Sequence, residues 1–223
     1  MKKMVSIIIP TYNESKNVLP LLKNLLNLKG EFEMIFVDAG EDDTFEKIPE
    51  QKNITKIKSE KGRAKQMNAG AKIAKGKYFW FLHADSKVNP YSITAIKKSN
   101  AEVGCFKLKF DDNSFLLKII STFTNIRGKI MNLAFGDRGV FVKKDLFFSL
   151  GGFTEIPLME DYDFSYKIHR ANKVFKVLNL QIITSARRFK KNGTIKTILL
   201  MKKLQHDFRL NKNIWKIYYE YEK

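Results

Sequence analysis

Cysteine is almost missing from this chain of 223 residues: Cys105 stands alone, which excludes an intramolecular disulfide and a thiolate metal cluster. Within Gly104-Cys105-Phe106-Lys107-Leu108 it reads as a small core residue of a strand, and a reducing cytosol fits. Long apolar runs are also missing. No stretch approaches the ~18–20 uninterrupted apolar residues of a membrane span. The apolar run near the start ends at Pro10, too short for the ~7–15-residue core of a signal peptide, and no small-residue cleavage site follows. The expectation is a cytoplasmic protein whose membrane contact, if any, is peripheral. Acidic residues are scarce as well, with 23 Asp+Glu against 41 Lys+Arg, a net charge of +18. Such a field attracts anions: nucleic acid, anionic lipid or phosphorylated small molecules. From residue 186 onward there are eleven Lys/Arg against three Asp/Glu, so the end of the chain is enriched in positive charge.

What is present suffices for a folded core. The hydrophobic fraction is 44%, and a chain of this length buries roughly 70% of its unfolded surface without staples. One domain is expected over 1–223, divided into a first half (1–103), a second half (104–188) and a basic helical segment (189–223). Neither repeats nor low-complexity segments interrupt it.

Short apolar, β-rich runs at 5–9, 34–37, 54–57 and 78–82 alternate with helical stripes at 18–28, 44–50 and 62–75. This order predicts an α/β fold, a Rossmann-like, mostly parallel sheet flanked by helices with right-handed crossovers. The second half reads as a helix at 92–101, a strand at 104–110 and a long helix. In that helix Phe115, Leu116, Ile119, Phe123, Ile126, Ile130 and Leu133 form one apolar face. A strand at 139–142, helices at 145–150 and 161–170, strands at 174–178 and 181–184, and a helix at 195–210 complete it.

Ligands bind beyond the carboxyl ends of strands in an open parallel sheet, so the residues after each strand matter most. They are Thr11-Tyr12-Asn13-Glu14, then Asp38-Ala39-Gly40-Glu41-Asp42-Asp43, then Ser59-Glu60-Lys61-Gly62-Arg63, then His83-Ala84-Asp85. All four ends are polar and ionisable. Lys61 and Arg63 flank Gly62 at a helix start, where free N–H groups favour an anion such as a diphosphate. Asp38 can accept from a pyrimidine imide or ribose hydroxyls. Asp85 suits a divalent cation bridging two phosphates, or else a helix cap before Asn89-Pro90.

These residues carry a resemblance. Val5-Ser6-Ile7-Ile8-Ile9-Pro10-Thr11-Tyr12-Asn13-Glu14 resembles the opening of family 2 glycosyltransferases. Phe36-Val37-Asp38-Ala39-Gly40, Gly62-Arg63-Ala64-Lys65-Gln66-Met67-Asn68-Ala69-Gly70 and Phe81-Leu82-His83-Ala84-Asp85 follow in the expected order. So do Gly136-Asp137-Arg138-Gly139-Val140-Phe141, Pro157-Leu158-Met159-Glu160-Asp161 and Ser185-Ala186-Arg187-Arg188-Phe189. The set is similar to a bacterial radical-SAM/selenodomain-associated subfamily and extends to about residue 209.

The resemblance implies a GT-A fold and an inverting, hexosyltransferase-type transfer from a nucleotide-diphosphate sugar, a UDP-sugar in the first instance. It implies nucleotide binding by Pro10, Thr11, Tyr12, Glu14, Asp38, Lys61, Arg63, Asn68 and Ala84, and diphosphate binding by Arg187 and Arg188. A divalent cation, Mn²⁺ or Mg²⁺, would sit at Asp85. His83 replaces the usual first acid of that motif, and three roles fit it: second ligand, phosphate donor or packed strand-end histidine. Asp161 becomes the general base beside Glu160. Its position supports this independently, because it shares a helix face with Phe164 and Ile168, where an acid is costly unless paired or used; an N-terminal cap is the other reading. Arg127 and Asp137 fall where the acceptor would lie. The basic C-terminal segment either packs on the domain or rests on an anionic membrane.

Two other classes fit the composition less well. A nucleotidyltransferase needs a Gly-rich loop after the first strand, and Pro10-Thr11-Tyr12-Asn13-Glu14 lacks one. A nucleic-acid binder would set aromatics among basic residues on an exposed sheet, whereas Tyr78-Phe79-Trp80-Phe81 reads as a buried strand.

Overall fold

A computed structural model describes residues 4–222. Strand β1 (Val5–Thr11) shows how the core is divided. Successive side chains of a strand point to opposite faces, and here both faces are covered. Val5, Ile7 and Ile9 enter one apolar cluster, and Ile8 enters another on the far side of the sheet. Strands β2 (Phe32–Asp38) and β4 (Tyr78–Phe81) divide the same way. Met34, Phe36, Tyr78 and Trp80 join the first cluster; Ile35, Val37, Phe79 and Phe81 join the second. Burial on both faces explains why these runs are continuously apolar.

The helices supply the two outer layers. Helix α1 (Val18–Leu25) buries Val18, Leu21, Leu22 and Leu25 at helical spacing and shares the first cluster with Ile93 and Ile96 of α4 (Ser92–Ser99). Helix α2 (Thr44–Lys47) is a single turn leading to β3 (Ile54–Lys58). On the opposite face, α3 (Arg63–Ile73) contributes Ala64, Met67 and Ala71 to the second cluster.

One eight-stranded sheet runs through the molecule in the order β3-β2-β1-β4-β7-β6-β8-β5. It includes β5 (Lys87–Val88), β6 (Val103–Phe110), β7 (Phe141–Lys143) and β8 (Lys176–Thr184). Strands β3, β2, β1 and β4 are mutually parallel; β7 then runs antiparallel to both β4 and β6. Strand β8 is parallel to β6, and β5 pairs antiparallel with β8, so the first and second halves share one sheet. The two strands expected at 174–178 and 181–184 are one strand, broken in register opposite Phe106 and Lys107.

The remaining helices are α5 (Phe115–Ile130), α6 (Lys144–Ser149), α7 (Glu160–Arg170), α8 (Arg187–Asn192), α9 (Thr194–Arg209) and α10 (Ile214–Glu222). Phe147 of α6 with Phe164 and Ile168 of α7 closes the second cluster. Leu204, Leu200 and Phe208 of α9 pack with Ile214, Ile217 and Tyr218 of α10 against Leu158, Met159 and Tyr162. The Leu200, Leu204 and Phe208 side of the basic C-terminal segment therefore faces the domain, while Ile195, Leu199, Trp215 and Tyr219 stay exposed. The long helix departs from expectation. Leu117 and Ile120 pack against Leu108 and Phe110 of β6, while most of the apolar face read from the sequence lies in solvent.

Between α5 and β7 the chain makes a tight 3₁₀ turn, Gly136–Arg138, and leaves it through Gly139 at φ +56°. A Cβ there would lie 2.8 Å from Trp80 Nε1 and collide with Ile182. Gly139→Ala combines left-handed strain with overpacking and is expected to cost about 2–4 kcal/mol. Urea denaturation at fixed pH measures it, and an unchanged midpoint would refute the packing described.

Candidate functional site

Because β1, β2 and β3 are parallel and in register, their last residues fall side by side. Thr11 pairs with Asp38, and Asp38 with Lys58. Thr11 Oγ1 donates to Asp38 Oδ1 at 2.7 Å, and Lys58 Nζ donates to Asp38 Oδ2 at 2.8 Å. Asp38 is fully buried, with the half-exposed Lys58 as its cover. The carboxylate raises the Lys58 pKa by this hydrogen bond. Gln66 of α3 fixes the same corner, its Nε2 donating to Thr11 O at 2.7 Å and Val37 O at 2.8 Å. Nothing in helical periodicity distinguished Gln66 or Lys58 as site residues; only the register brings them here.

One step along the edge, Lys61 Nζ sits 4.1 Å from the Tyr12 ring centroid. Arg63, at the start of α3, pairs with Glu160, the first residue of α7, at 3.1 Å. Glu160 is almost fully buried, and burial pushes its carboxyl above the usual range against the pull of Arg63. The same carboxylate raises the pKa of Arg63. The chain enters α7 through Met159 in the left-handed region at φ +69°, an uncommon conformation for a side chain of this size.

Asp161 is held from two sides. The Gly136 N–H donates to its Oδ2 at 2.7 Å, and the Tyr162 N–H donates to its Oδ1 at 2.7 Å. The contact with the 3₁₀ turn requires a glycine: a Cβ at Gly136 would come 2.8 Å from His83 Nε2 and 3.4 Å from Asp161 Oδ2. His83 lines this narrow pocket with Arg63, Gly136, Glu160 and Asp161. Desolvation, helped by Arg63 and Arg187, lowers its pKa to about 3, so the imidazole is neutral. Asp137 lies in the same turn; its Oδ1 is shut off from solvent without a hydrogen-bond partner. Burial and the neighbouring Asp161 charge raise the Asp137 pKa to about 6, against Arg138 and Arg63. Arg138 is completely buried and donates from Nε to Phe106 O at 3.1 Å. The sequence reading missed this arginine as the buttress of the turn.

Asp85 shares the influence of Arg187 with His83 but pairs with it directly. It lies 3.6 Å from Arg187, which also donates to Glu14 Oε1 at 3.1 Å. Desolvation raises the Asp85 carboxyl pKa, and Arg187 opposes the shift. Past the end of β4 the backbone turns, Ser86 N–H donating to His83 O at 3.2 Å. Strand alternation therefore no longer sets Asp85 on the same face as His83.

The arginine doublet is divided too, as consecutive residues on a helix must be. Arg187 faces the site. Arg188 faces α10, its guanidinium 3.4 Å from the Tyr221 ring centroid and its Nη2 donating to Tyr221 O at 2.5 Å. Arg127 of α5 lies over the Phe135 ring at 5.1 Å and donates to Gln205 at 3.4 Å. Asn68, expected at the nucleotide, instead uses both ends of its amide on Phe153, donating to the carbonyl at 2.9 Å and accepting the N–H at 3.0 Å. Ala84 packs in the first core cluster, and Pro10 sits in β1 opposite Val37.

Comparison with known proteins adds the lineage. A family model described as Glycosyl transferase family 2 matches residues 6–130. An uncharacterized glycosyltransferase of Haemophilus influenzae is 27% identical over 184 residues, covering 74% of this chain and 62% of that protein. An uncharacterized protein of Methanocaldococcus jannaschii is 30% identical over 152 residues, 61% of this chain and 66% of its own length. The chain thus spans less than two thirds of either relative. Among solved structures, S. aureus TarS 1-349 in complex with UDP-GlcNAc superposes with a TM-score of 0.65 at 22% identity, over 83% of this chain and 58% of that one. The TarS complex with UDP gives 0.63 at 23% identity, over 83% and 60%. The likeness is one of fold: a GT-A sheet curled between helices.

The Asp137 environment has a measurable consequence. Its folded pKa of about 6 exceeds the ordinary 3.8, so the folded state holds a proton that the unfolded state has lost. This group's contribution is complete below about pH 4 and is lost as pH rises through about 6. Asp137→Asn removes that loss, so at about pH 7.5 the variant should be more stable than the wild type by up to ~3 kcal/mol. At about pH 4 the gap should close. Urea titrations at the two pH values test it; a gap independent of pH would count against the assignment.

Proposed function

The chain belongs to glycosyl transferase family 2, and from that premise we propose that it transfers a hexosyl group from a nucleoside diphosphate donor to an acceptor hydroxyl, with inversion. UDP is the proposed carrier, in keeping with the UDP-GlcNAc and UDP complexes of the TarS structures. The motif series after residue 136 supports a place in the radical-SAM/selenodomain-associated group. The observation that carries the reading is that Asp38 and Asp85 follow parallel strands at one end of the sheet, where Arg187 pairs with Asp85 and Arg63 lines a pocket with Asp161.

In this reading Asp38 and Thr11 receive the base and ribose once the Lys58 side chain swings aside, while Tyr12 and Lys61 flank the nucleotide. Arg63 and Arg187 face the diphosphate. Asp161 accepts the acceptor's hydroxyl proton while that oxygen forms its bond to the anomeric carbon. The bond from that carbon to the diphosphate oxygen breaks on the opposite side, and the electron pair leaves with the nucleotide. The two amide N–H groups on Asp161 aim its carboxylate, and the neutral His83 adds no competing charge beside it.

Among the described residues no three His, Cys, Asp or Glu side chains form a metal cage. Asp85 alone fits an ion of the Mg²⁺ or Mn²⁺ kind, which takes one or two carboxylates and completes its shell with water and substrate phosphates. Bound there, it would supply Lewis-acid stabilisation of the leaving diphosphate.

The test is a panel of sugar nucleotides assayed for nucleoside diphosphate release, with the melting temperature followed in UDP and Mn²⁺. Wild type should melt higher with UDP. Asp161→Asn should keep that rise and lose about 10²–10⁴-fold in turnover. Undiminished turnover in the variant would remove the base assignment, and a wild type indifferent to every nucleotide would remove the donor reading.

A further inference from the structure

Helix α5 turns its apolar side the wrong way for a core helix. Phe115, Phe123 and Ile130 are 75%, 68% and 78% exposed. At 3.6 residues per turn, Leu116, Ile119, Phe123, Ile126 and Ile130 fall on one continuous stripe, with Phe115 at its edge. The opposite side is firmly anchored. Leu117 and Ile120 join the cluster with Leu108 and Phe110, and the Asn125 amide caps the β6 backbone at Leu108, accepting at 2.8 Å and donating at 3.0 Å. Gly128 is buried against Arg138. The helix cannot rotate its stripe inward without losing these contacts. An exposed apolar band of this length marks a docking surface.

Charge selects the occupant. Helix α5 contains no acidic residue, and Lys118 and Lys129 border the stripe on one side with Arg127 on the other. A second copy of the chain would bring another +18 and the same lysines against these, which opposes self-association. An amphipathic helix with Phe, Leu and Ile on one side and basic residues at its margins matches a bilayer interface carrying negative headgroups. We propose that α5 docks the protein on an anionic lipid surface, the stripe entering the acyl boundary while Lys118 and Lys129 meet headgroup phosphates. The C-terminal segment, for which the sequence allows either packing on the domain or membrane contact, packs its Leu200, Leu204 and Phe208 side on the domain. Docking through α5 stands independently of the transfer reaction. It bears on the acceptor end of the site, since α5 carries Arg127 and, through Gly128 and Arg138, abuts the turn that holds Asp137.

The experiment is co-sedimentation of the full chain with vesicles of phosphatidylcholine alone or of equal parts phosphatidylglycerol and phosphatidylcholine. Binding to the mixed vesicles should exceed binding to phosphatidylcholine by about tenfold or more, and should survive in part at ~0.5 M salt because the stripe is buried in lipid. Phe123→Ser with Ile130→Ser replaces exposed side chains, so the melting temperature should hold while affinity falls about tenfold or more. Lys118→Glu with Lys129→Glu should erase the preference for phosphatidylglycerol. A serine variant that binds as well as wild type, or binding wholly lost in salt, would overturn the proposal. So would light scattering that shows a dimer which the serine variant converts to monomer.

Discussion

Strand β1 is hydrogen-bonded on both sides to strands running in its own direction, and the alignment of the strand-end residues of the site follows from that pairing. It aligns Thr11 with Asp38 and, one strand further, with Lys58. On its other side it sets the end of β4 so that the next residues, His83 to Asp85, emerge at the same edge. The pairing persists because both faces of β1, β2 and β4 are covered, which forbids a one-residue slip: any slip would exchange the two apolar clusters. The chemistry at the edge is thus held in place by two cores, not by the loops themselves.

Electrostatics at that edge is a set of short pairings between acids and bases drawn from distant parts of the chain. Lys58 covers Asp38, Arg63 meets Glu160, and Arg187 spans Glu14 and Asp85. Each carboxylate would be costly at its depth without its cation. In the proposed reading, a diphosphate entering among these groups would compete for cations that the fold has already gathered. The strained entry at Met159 and the glycine at 136 have one shared effect, which is to bring the start of α7 and the 3₁₀ turn close enough for a backbone N–H to aim Asp161.

The sheet also explains why the second half of the chain was harder to read. Strand β7 enters between β4 and β6 with reversed direction, so the parallel repeat ends there. Beyond it, helix positions are set by long-range contacts. Helix α10 was not distinguished as a separate helix within the C-terminal helical segment, because besides α9, its neighbour in sequence, it packs on the distant α7. The apolar periodicity of α5 was legible, but periodicity alone cannot say which side is covered; the side anchored by Leu117, Asn125 and Gly128 was decided by β6 and Arg138.

The amino-acid sequence by itself determined the first four strands and their succession along the chain, the family motifs and the ionisable residues that follow each of those strands. Those properties are local: alternation, run length and spacing follow from backbone geometry within a few residues. The tertiary structure alone decided which partners each member of a motif meets. His83 and Asp85 part because the chain turns between them, and Arg187 and Arg188 part because neighbours on a helix point in different directions. Asn68 is drawn to Phe153, and Gln66 and Lys58 enter the site, for one physical reason: a side chain's partners come from whatever the fold packs beside it, and sequence distance carries no record of that.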